Sequence, residues 1–198
     1  MTPYPDIPTH VETERLVIRP PTVEDVPAIY AAVIESLEDL KPRMPWSHDY
    51  TMDGCEASTR AAVAKFITRE DLRYHFHDKK TGELIANSGL HAVDWKVPKF
   101  EIGYWCRTSK QGQGYVTEGV KGLTEMAFRD LKAVRLEIQC DDRNLKSAAV
   151  AERCGYGLEG TLKFDSRSPD GELTSTRIYA RTRKPGENIV AFPKEVAP

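Results

Sequence analysis

The run Gln111-Gly112-Gln113-Gly114-Tyr115-Val116-Thr117 stands between a segment patterned as a strand and one patterned as a helix. Glycine enters left-handed backbone conformations without a Cβ clash, so the amides of such a loop can be turned toward one point. The helix that follows adds its unpaired first-turn N–H groups and the positive end of its dipole. That combination binds a phosphate or diphosphate through main-chain donors, with no lysine required. Two other nucleotide loops do not fit. A Walker loop would place Lys directly after the second glycine, where Val120 follows Gly119; a dinucleotide fingerprint would need a third glycine where Thr117 stands. What is left is Q-x-x-G-x-V at a helix entrance, or more plainly a glycine-rich turn.

The elements that must position this loop follow from periodicity. Phe100 to Cys106 reads as an aromatic-rich strand, and Val116, Val120, Leu123 and Ala127 fall at helical spacing as far as Leu131. Val134, Leu136 and Ile138 alternate as a strand, Asp141 to Asn144 turns, and Leu145 to Cys154 forms a short helix closed by a left-handed Gly155. Gly157 to Phe164 and Leu173 to Arg181 pair across Ser168-Pro169-Asp170-Gly171. Upstream, Arg15 to Arg19 is a strand stopped by Pro20-Pro21, and Thr22 opens a helix with Asp25 as a short-armed capping-box partner. Lys41 to Thr51 is a loop, and a second helix runs from about Asp53, with Glu56 as its box partner, to Arg69. Leu72, Tyr74 and Phe76 alternate with Arg73, His75 and His77; Lys79 to Glu83 turns, and a return strand runs from Leu84 to about Trp95. The order β-α-α-β-β-β-α-β-α-β-β predicts a mixed α/β (α+β) fold with helices on both faces of the sheet. It forms one domain over residues 10–183, followed by a Pro-punctuated tail at 184–198.

Bulk properties narrow the function. A net charge of −2 with interspersed signs predicts no nucleic-acid partner and no anionic membrane surface. No apolar run approaches the ~20 residues of a membrane span. Residues 1–11 lack a signal-peptide layout. Cys55, Cys106, Cys140 and Cys154 are scattered, so free thiols in a reducing cytoplasm are expected, with no metal site.

Several blocks together resemble one family. Gln111 to Val116 resembles the acyl-CoA pyrophosphate loop of the GNAT superfamily, usually [QR]-x-x-G-x-[GA], with Val116 in place of a small residue. Glu101-Ile102-Gly103-Tyr104-Trp105, Gly114-Tyr115-Val116-Thr117-Glu118, Asp141-Asp142-Arg143-Asn144-Leu145-Lys146-Ser147, Cys154-Gly155-Tyr156 with Glu159-Gly160, and Thr13 to Arg19 resemble, in the same order, the RimJ/RimL-like ribosomal-protein N-acetyltransferase branch. The resemblance implies a mostly antiparallel central sheet with one splayed parallel pair, and acetyl-CoA as cosubstrate. Gln111, Gly112, Gln113, Gly114, Tyr115, Val116 and Thr117 would hold the diphosphate. Trp105, Cys106 and Arg107 would pair with the pantetheine arm, and Asn144 and Ser147 would contact it. Asn144 could instead be a helix N-cap, with Ser147 in the first turn beyond it.

The chemistry implied is direct attack of a primary amine on the thioester, without a covalent enzyme intermediate. Glu101 is the candidate base, with a sheet-edge salt bridge as its alternative role. Ser147, on the inward stripe of Val150, Ala151 and Cys154, is the candidate proton donor to the departing thiolate, and Tyr104 ranks second as acid. His75, His77 and His91 show no spacing that identifies a metal site or triad. The resemblance points to a protein N-terminal α-amine as acceptor, with Lys41 to Trp46 walling its side of the site. A small amine (polyamine, aminoglycoside or amino-acid-like) and a non-catalytic acyl-CoA-binding module remain open, as does monomer or homodimer.

Overall fold

Alternation of buried and open side chains builds one sheet whose parallel junction lies near its middle. The computed structural model describes residues 4–183 of the chain. The elements are β1 (Val11–Glu12), β2 (Leu16–Arg19), α1 (Val26–Leu40), α2 (Met52–Thr68), β3 (Leu72–Asp78), β4 (Leu84–Asp94), β5 (Lys99–Cys106), α3 (Tyr115–Arg129), β6 (Arg135–Asp141), α4 (Leu145–Arg153), β7 (Gly157–Arg167) and β8 (Leu173–Thr182). This is the expected order, with β1 added on the outer side of β2 through Val11↔Ile18. The eight strands lie in the order β1-β2-β3-β4-β5-β6-β8-β7. Every neighbouring pair is antiparallel except β5 and β6.

Two helix starts differ from the reading of the sequence. The Asp25 carboxylate does accept the Thr22 N–H at 2.8 Å, but a 3-10 turn over Val23–Asp25 comes first and α1 begins at Val26. For α2 the cap is Thr51, which stays extended while its hydroxyl accepts from the Gly54 N–H at 3.1 Å. Glu56 is therefore no box partner for Asp53 and pairs instead with Arg60 one turn on, at 2.7 Å. Gly155 does take the left-handed conformation, with φ 74°.

The helices cover both faces. On one, Val120, Leu123 and Ala127 of α3 and Ala148 and Ala151 of α4 are buried with Ile18, Tyr74, Phe76 and Ile102. On the other, Ile29, Val33 and Leu40 of α1 close over Cys55 and Leu84, with Trp105 partly buried beside them. Each large apolar side chain so removed from water contributes about 1.5–3 kcal/mol. Gly119 lets α3 approach the sheet closely, since a Cβ there would lie 2.1 Å from the Phe76 ring.

The parallel pair is short. β5 and β6 share Lys99↔Arg135, Phe100↔Leu136 and Glu101↔Glu137, and no register follows. β6 stays paired to β8 through Asp141↔Thr176, while β5 runs on to Cys106 against β4. The two strands thus diverge beyond Glu101, leaving the β6-facing edge of Ile102 to Cys106 without a strand partner. Residues 184–198, assigned above to a tail, lie outside the described residues. Among the described residues no helix is long and apolar enough to cross a membrane.

Candidate active site

The glycine loop has the expected backbone. Gly112 and Gly114 take φ 74° and 81°, and Gly114 caps α3 directly. A Cβ on Gly112 would meet nothing within 4 Å, so its backbone angle and not crowding is what favours glycine there. The loop is braced from behind by Arg15. Its Nη1 donates to the Gln113 carbonyl at 3.0 Å, its guanidinium lies 4.3 Å from the centroid of the Tyr115 ring, and its Nε donates to Glu118 at 2.6 Å. Glu118 also accepts from the Thr13 hydroxyl at 2.6 Å and the Arg15 N–H at 2.7 Å. Burial alone would push the Glu118 carboxyl up, but these donors outweigh it and hold it below the usual range.

A cleft of about 930 Å³ runs from this loop along the start of α4 into the opening between β5 and β6. Gln111, Gly112, Gly114, Tyr115, Val116 and Thr117 line it from the loop, Tyr104, Trp105 and Cys106 from β5, and Asn144 and Ser147 from α4. The Asn144 side chain caps α4 by accepting the Ser147 N–H at 3.2 Å while also forming part of the wall. Tyr104 Oη lies 3.0 Å from Ser147 Oγ and donates to the Ser147 carbonyl at 3.1 Å. Burial pushes the phenol far above its ordinary range, and the Ser147 contact only partly opposes this, so Tyr104 stays protonated. The Cys106 thiol is pushed up to about 11 by burial, which disfavours its thiolate.

Three residues singled out from the sequence do not line the cleft. Gln113 turns back to the Ser109 carbonyl at 3.0 Å. Arg107 spends its side chain on Glu35 at 2.5 Å and Glu83 at 2.8 Å, tying the end of β5 to α1 and to the β3–β4 hairpin. Glu101 sits at the apex of the divergence, facing His91 across β4 and Glu137 across β6. Burial lifts its carboxyl above the usual range; His91 opposes the shift and Glu137 adds to it. His91 is itself held by Asp71, Nδ1 to Oδ2, at 2.6 Å.

Other lining residues escaped the sequence. Lys146 and Arg153, seven positions apart and so on one face of α4, reach Gln111 Oε1 and Thr117 Oγ1, each at 3.4 Å; their helical spacing was a usable signal. Lys110 and Asp39 complete the wall and carry no local signature, whereas Arg43 and Met44 belong to the Lys41 to Trp46 segment expected to wall the site. Trp46 stands 6.4 Å from Trp105, ring to ring, so the segment after α1 borders the cleft.

Away from the cleft, Asp25, His75 and His77 bring ligand-type atoms within 4.8 Å of one another. Arg19 takes both Asp25 oxygens, at 2.6 and 2.7 Å, and so occupies the carboxylate that a metal ion would need. His75 is buried and held neutral, its pKa lowered to about 3 chiefly by desolvation.

The profile of the acetyltransferase (GNAT) domain matches residues 15–157. The ribosomal-protein-serine acetyltransferase of Escherichia coli (strain K12) is 34% identical over 102 residues, 52% of this chain and 56% of that protein. The putative ribosomal N-acetyltransferase YdaF of Bacillus subtilis (strain 168) is 38% identical over 82 residues, 41% and 45% of the two chains. The chain thus spans about half the length of these curated relatives. Among solved structures, RimL, a ribosomal-protein α-N-acetyltransferase in complex with coenzyme A, superposes with a TM-score of 0.82 at 22% identity, over 87% of this chain and 97% of that one. The self-immunity acetyltransferase MccE, in complex with acetyl-CoA and AMP, gives 0.80 at 21%, over 86% and 94%. The fold is theirs and the family profile covers most of the chain: this chain belongs to the GNAT acetyltransferase family.

Proposed function

We propose that the protein transfers an acetyl group from acetyl-CoA to a primary amine, and that the acceptor is a protein N-terminal α-amine. The observation that carries this is the continuity of the cleft from the Gly112–Gly114 loop to the Tyr104–Ser147 pair, across the open edge of β5. Amides at the entrance of α3 would grip the diphosphate, with Lys110, Lys146 and Arg153 adding positive charge nearby. The unpaired edge of Trp105 and Cys106 would hold the pantetheine as a further strand. Acetyl-CoA, when bound, supplies the acetyl group as an activated thioester.

The residues of the chain then manage protons. The acceptor nitrogen bonds to the acetyl carbon as the carbon–sulfur bond breaks, and the sulfur leaves as a thiol. Tyr104 and Ser147 hold a proton at the place where the thiolate would form. Glu101, at the apex, would take the amine's proton through water, and its raised carboxyl suits a base working near neutral pH. An α-amine, with a pKa of about 7.7–8.0, is easier to deprotonate than a lysine. The relatives named for ribosomal proteins support a protein acceptor. A reducing cytoplasm is the compartment we propose, since all four cysteines are unpaired thiols.

Thiol release from acetyl-CoA, measured with a panel of N-terminal peptides, polyamines, aminoglycosides and amino acids, tests this reading. Turnover is expected with peptides. Tight CoA binding with no release on any acceptor would replace it with a non-catalytic acyl-CoA module.

A further inference from the structure

A second cavity, of about 500 Å³, opens beside the cleft and shares Arg43 and Asn144 with it. One wall is the segment after α1, with Lys41, Arg43 and His48. The other is the β6–α4 turn, with Asp141 and Arg143, and the β7–β8 turn around Asp170.

On this second wall one cation, Arg143, serves two carboxylates. Asp141 accepts from Arg143 Nη2 at 2.8 Å and Nε at 3.0 Å, and Arg143 also meets Glu172 at 3.2 Å. Asp170 accepts from the Ser168 hydroxyl. The first wall is different. Among the described residues Lys41 and Arg43 enter no ion pair; Arg43 reaches only the Asp39 carbonyl, at 3.3 Å, and feels Asp141 at longer range. His48 Nε2 meets the Lys41 carbonyl at 3.1 Å. Nearby Asp39 accepts from Thr108 at 2.6 Å and Gln111 at 3.1 Å and, among the described residues, forms no ion pair with either cation. Two cations in no ion pair thus line a partly enclosed space that shares Arg43 and Asn144 with the cleft where the amine would react.

We propose that this cavity takes a carboxylate carried by the acceptor, so that the substrate is a protein N-terminus with Asp or Glu among its first few residues. The inference rests on the acetyltransferase reading above. A carboxylate there would form charge-assisted hydrogen bonds to Arg43 and Lys41, leaving the α-amine free to reach the cleft past Asn144. A lysine in the same place would meet like charge.

The test compares peptides that differ only in carrying Asp, Asn or Lys at one position, scanned over positions two to four, with thiol release as the readout. The expected order of kcat/KM is Asp above Asn above Lys, with about a tenfold or larger spread that shrinks as salt is raised. Charge reversal in the double variant Lys41→Glu, Arg43→Glu should invert the order, a gain that only a folded enzyme can show. Equal rates for the three peptides, or an Asp preference that survives the reversal, overturns the proposal. So does faster turnover of free aspartate or glutamate than of any peptide, which would assign the carboxylate to a small molecule. Absence of release with every acceptor would instead overturn the acetyltransferase reading itself.

Discussion

Tyr104 and Ser147 meet hydroxyl to hydroxyl at 3.0 Å across the mouth of the splayed strands, one from β5 and the other from the first turn of α4. The second contact, from Tyr104 Oη to the Ser147 carbonyl at 3.1 Å, fixes the phenol independently of the serine side chain. The two substitutions are therefore unequal. Ser147→Ala leaves the phenol placed and should lower kcat modestly, whereas Tyr104→Phe removes the proton donor and should lower it by about 10²-fold, the smaller end of general-acid effects. KM for acetyl-CoA should change far less in both. A Tyr104→Phe enzyme with undiminished kcat would remove Tyr104 from the chemistry.

The brace behind the loop predicts a binding defect at a residue that does not line the cleft. Glu118 collects three donors from the β1–β2 turn, and Arg15 carries the constraint onward to Gln113 and Tyr115. Glu118→Ala should raise the Kd for CoA by about tenfold, equivalent to about 1.4 kcal/mol. Gly114→Trp should do more, because a side chain at φ 81° costs about 1–2 kcal/mol of backbone strain and its bulk would stand against Arg15 at the helix entrance. Calorimetric titration with CoA checks both; wild-type affinity in Gly114→Trp would place the diphosphate elsewhere.

Much of this was legible in the order of residues because the signals are local. Period-two alternation placed Tyr74 and Phe76 in the core, helical spacing placed Val120, Leu123 and Ala127 there, and the glycines marked the loop. Long-range pairing was not legible. Nothing near Arg107 in sequence announces Glu35 or Glu83, and nothing near Lys41 announces that the β7–β8 turn will face it. The cap of α2 was misplaced by two residues because Asp53 and Thr51 are both good caps, and the choice fell to whichever residue tertiary packing left extended. Val116, the departure from the usual loop pattern, was accommodated because it lies half-buried in the first turn of α3, packed against the main core.

The buried His75 predicts acid sensitivity well above the carboxylate range. Its pKa falls from 6.5 to about 3 on folding, so below 6.5 the unfolded chain binds a proton that the folded chain does not. Stability must then rise with pH across that window and fall as pH drops from 6.5 toward 3, by about 1.4 kcal/mol per pH unit for one proton. Asp25, held near 2 by Arg19 and the Thr22 N–H against its own desolvation, adds a loss only below its ordinary 3.8. Denaturant midpoints at pH 7, 6 and 5 should decline in the wild type and stay nearly level in a His75→Asn variant. A decline unchanged by that substitution would mean that another group titrates, with His77 the first to examine, since its pKa is lowered too.

The role of Glu101 can be separated from that of the cleft because Glu101 does not line it. Desolvation lifts its carboxyl, His91 partly offsets the lift, and Glu137, directly across the parallel pair, raises it further. As a base it must be ionised, so the acidic limb of the kcat profile should include its titration. Glu137→Gln removes the like charge and should move that limb to lower pH, with kcat at neutral pH little changed. Glu101→Gln should cut kcat by about 10²-fold and erase the limb, leaving kcat/KM to follow the acceptor's own α-amine at about 7.7–8.0. KM for acetyl-CoA should hold in both variants. Loss of kcat with the limb still in place would mean that Glu101 only positions β5 at the apex, and an unaltered rate would mean that the amine sheds its proton to water unaided.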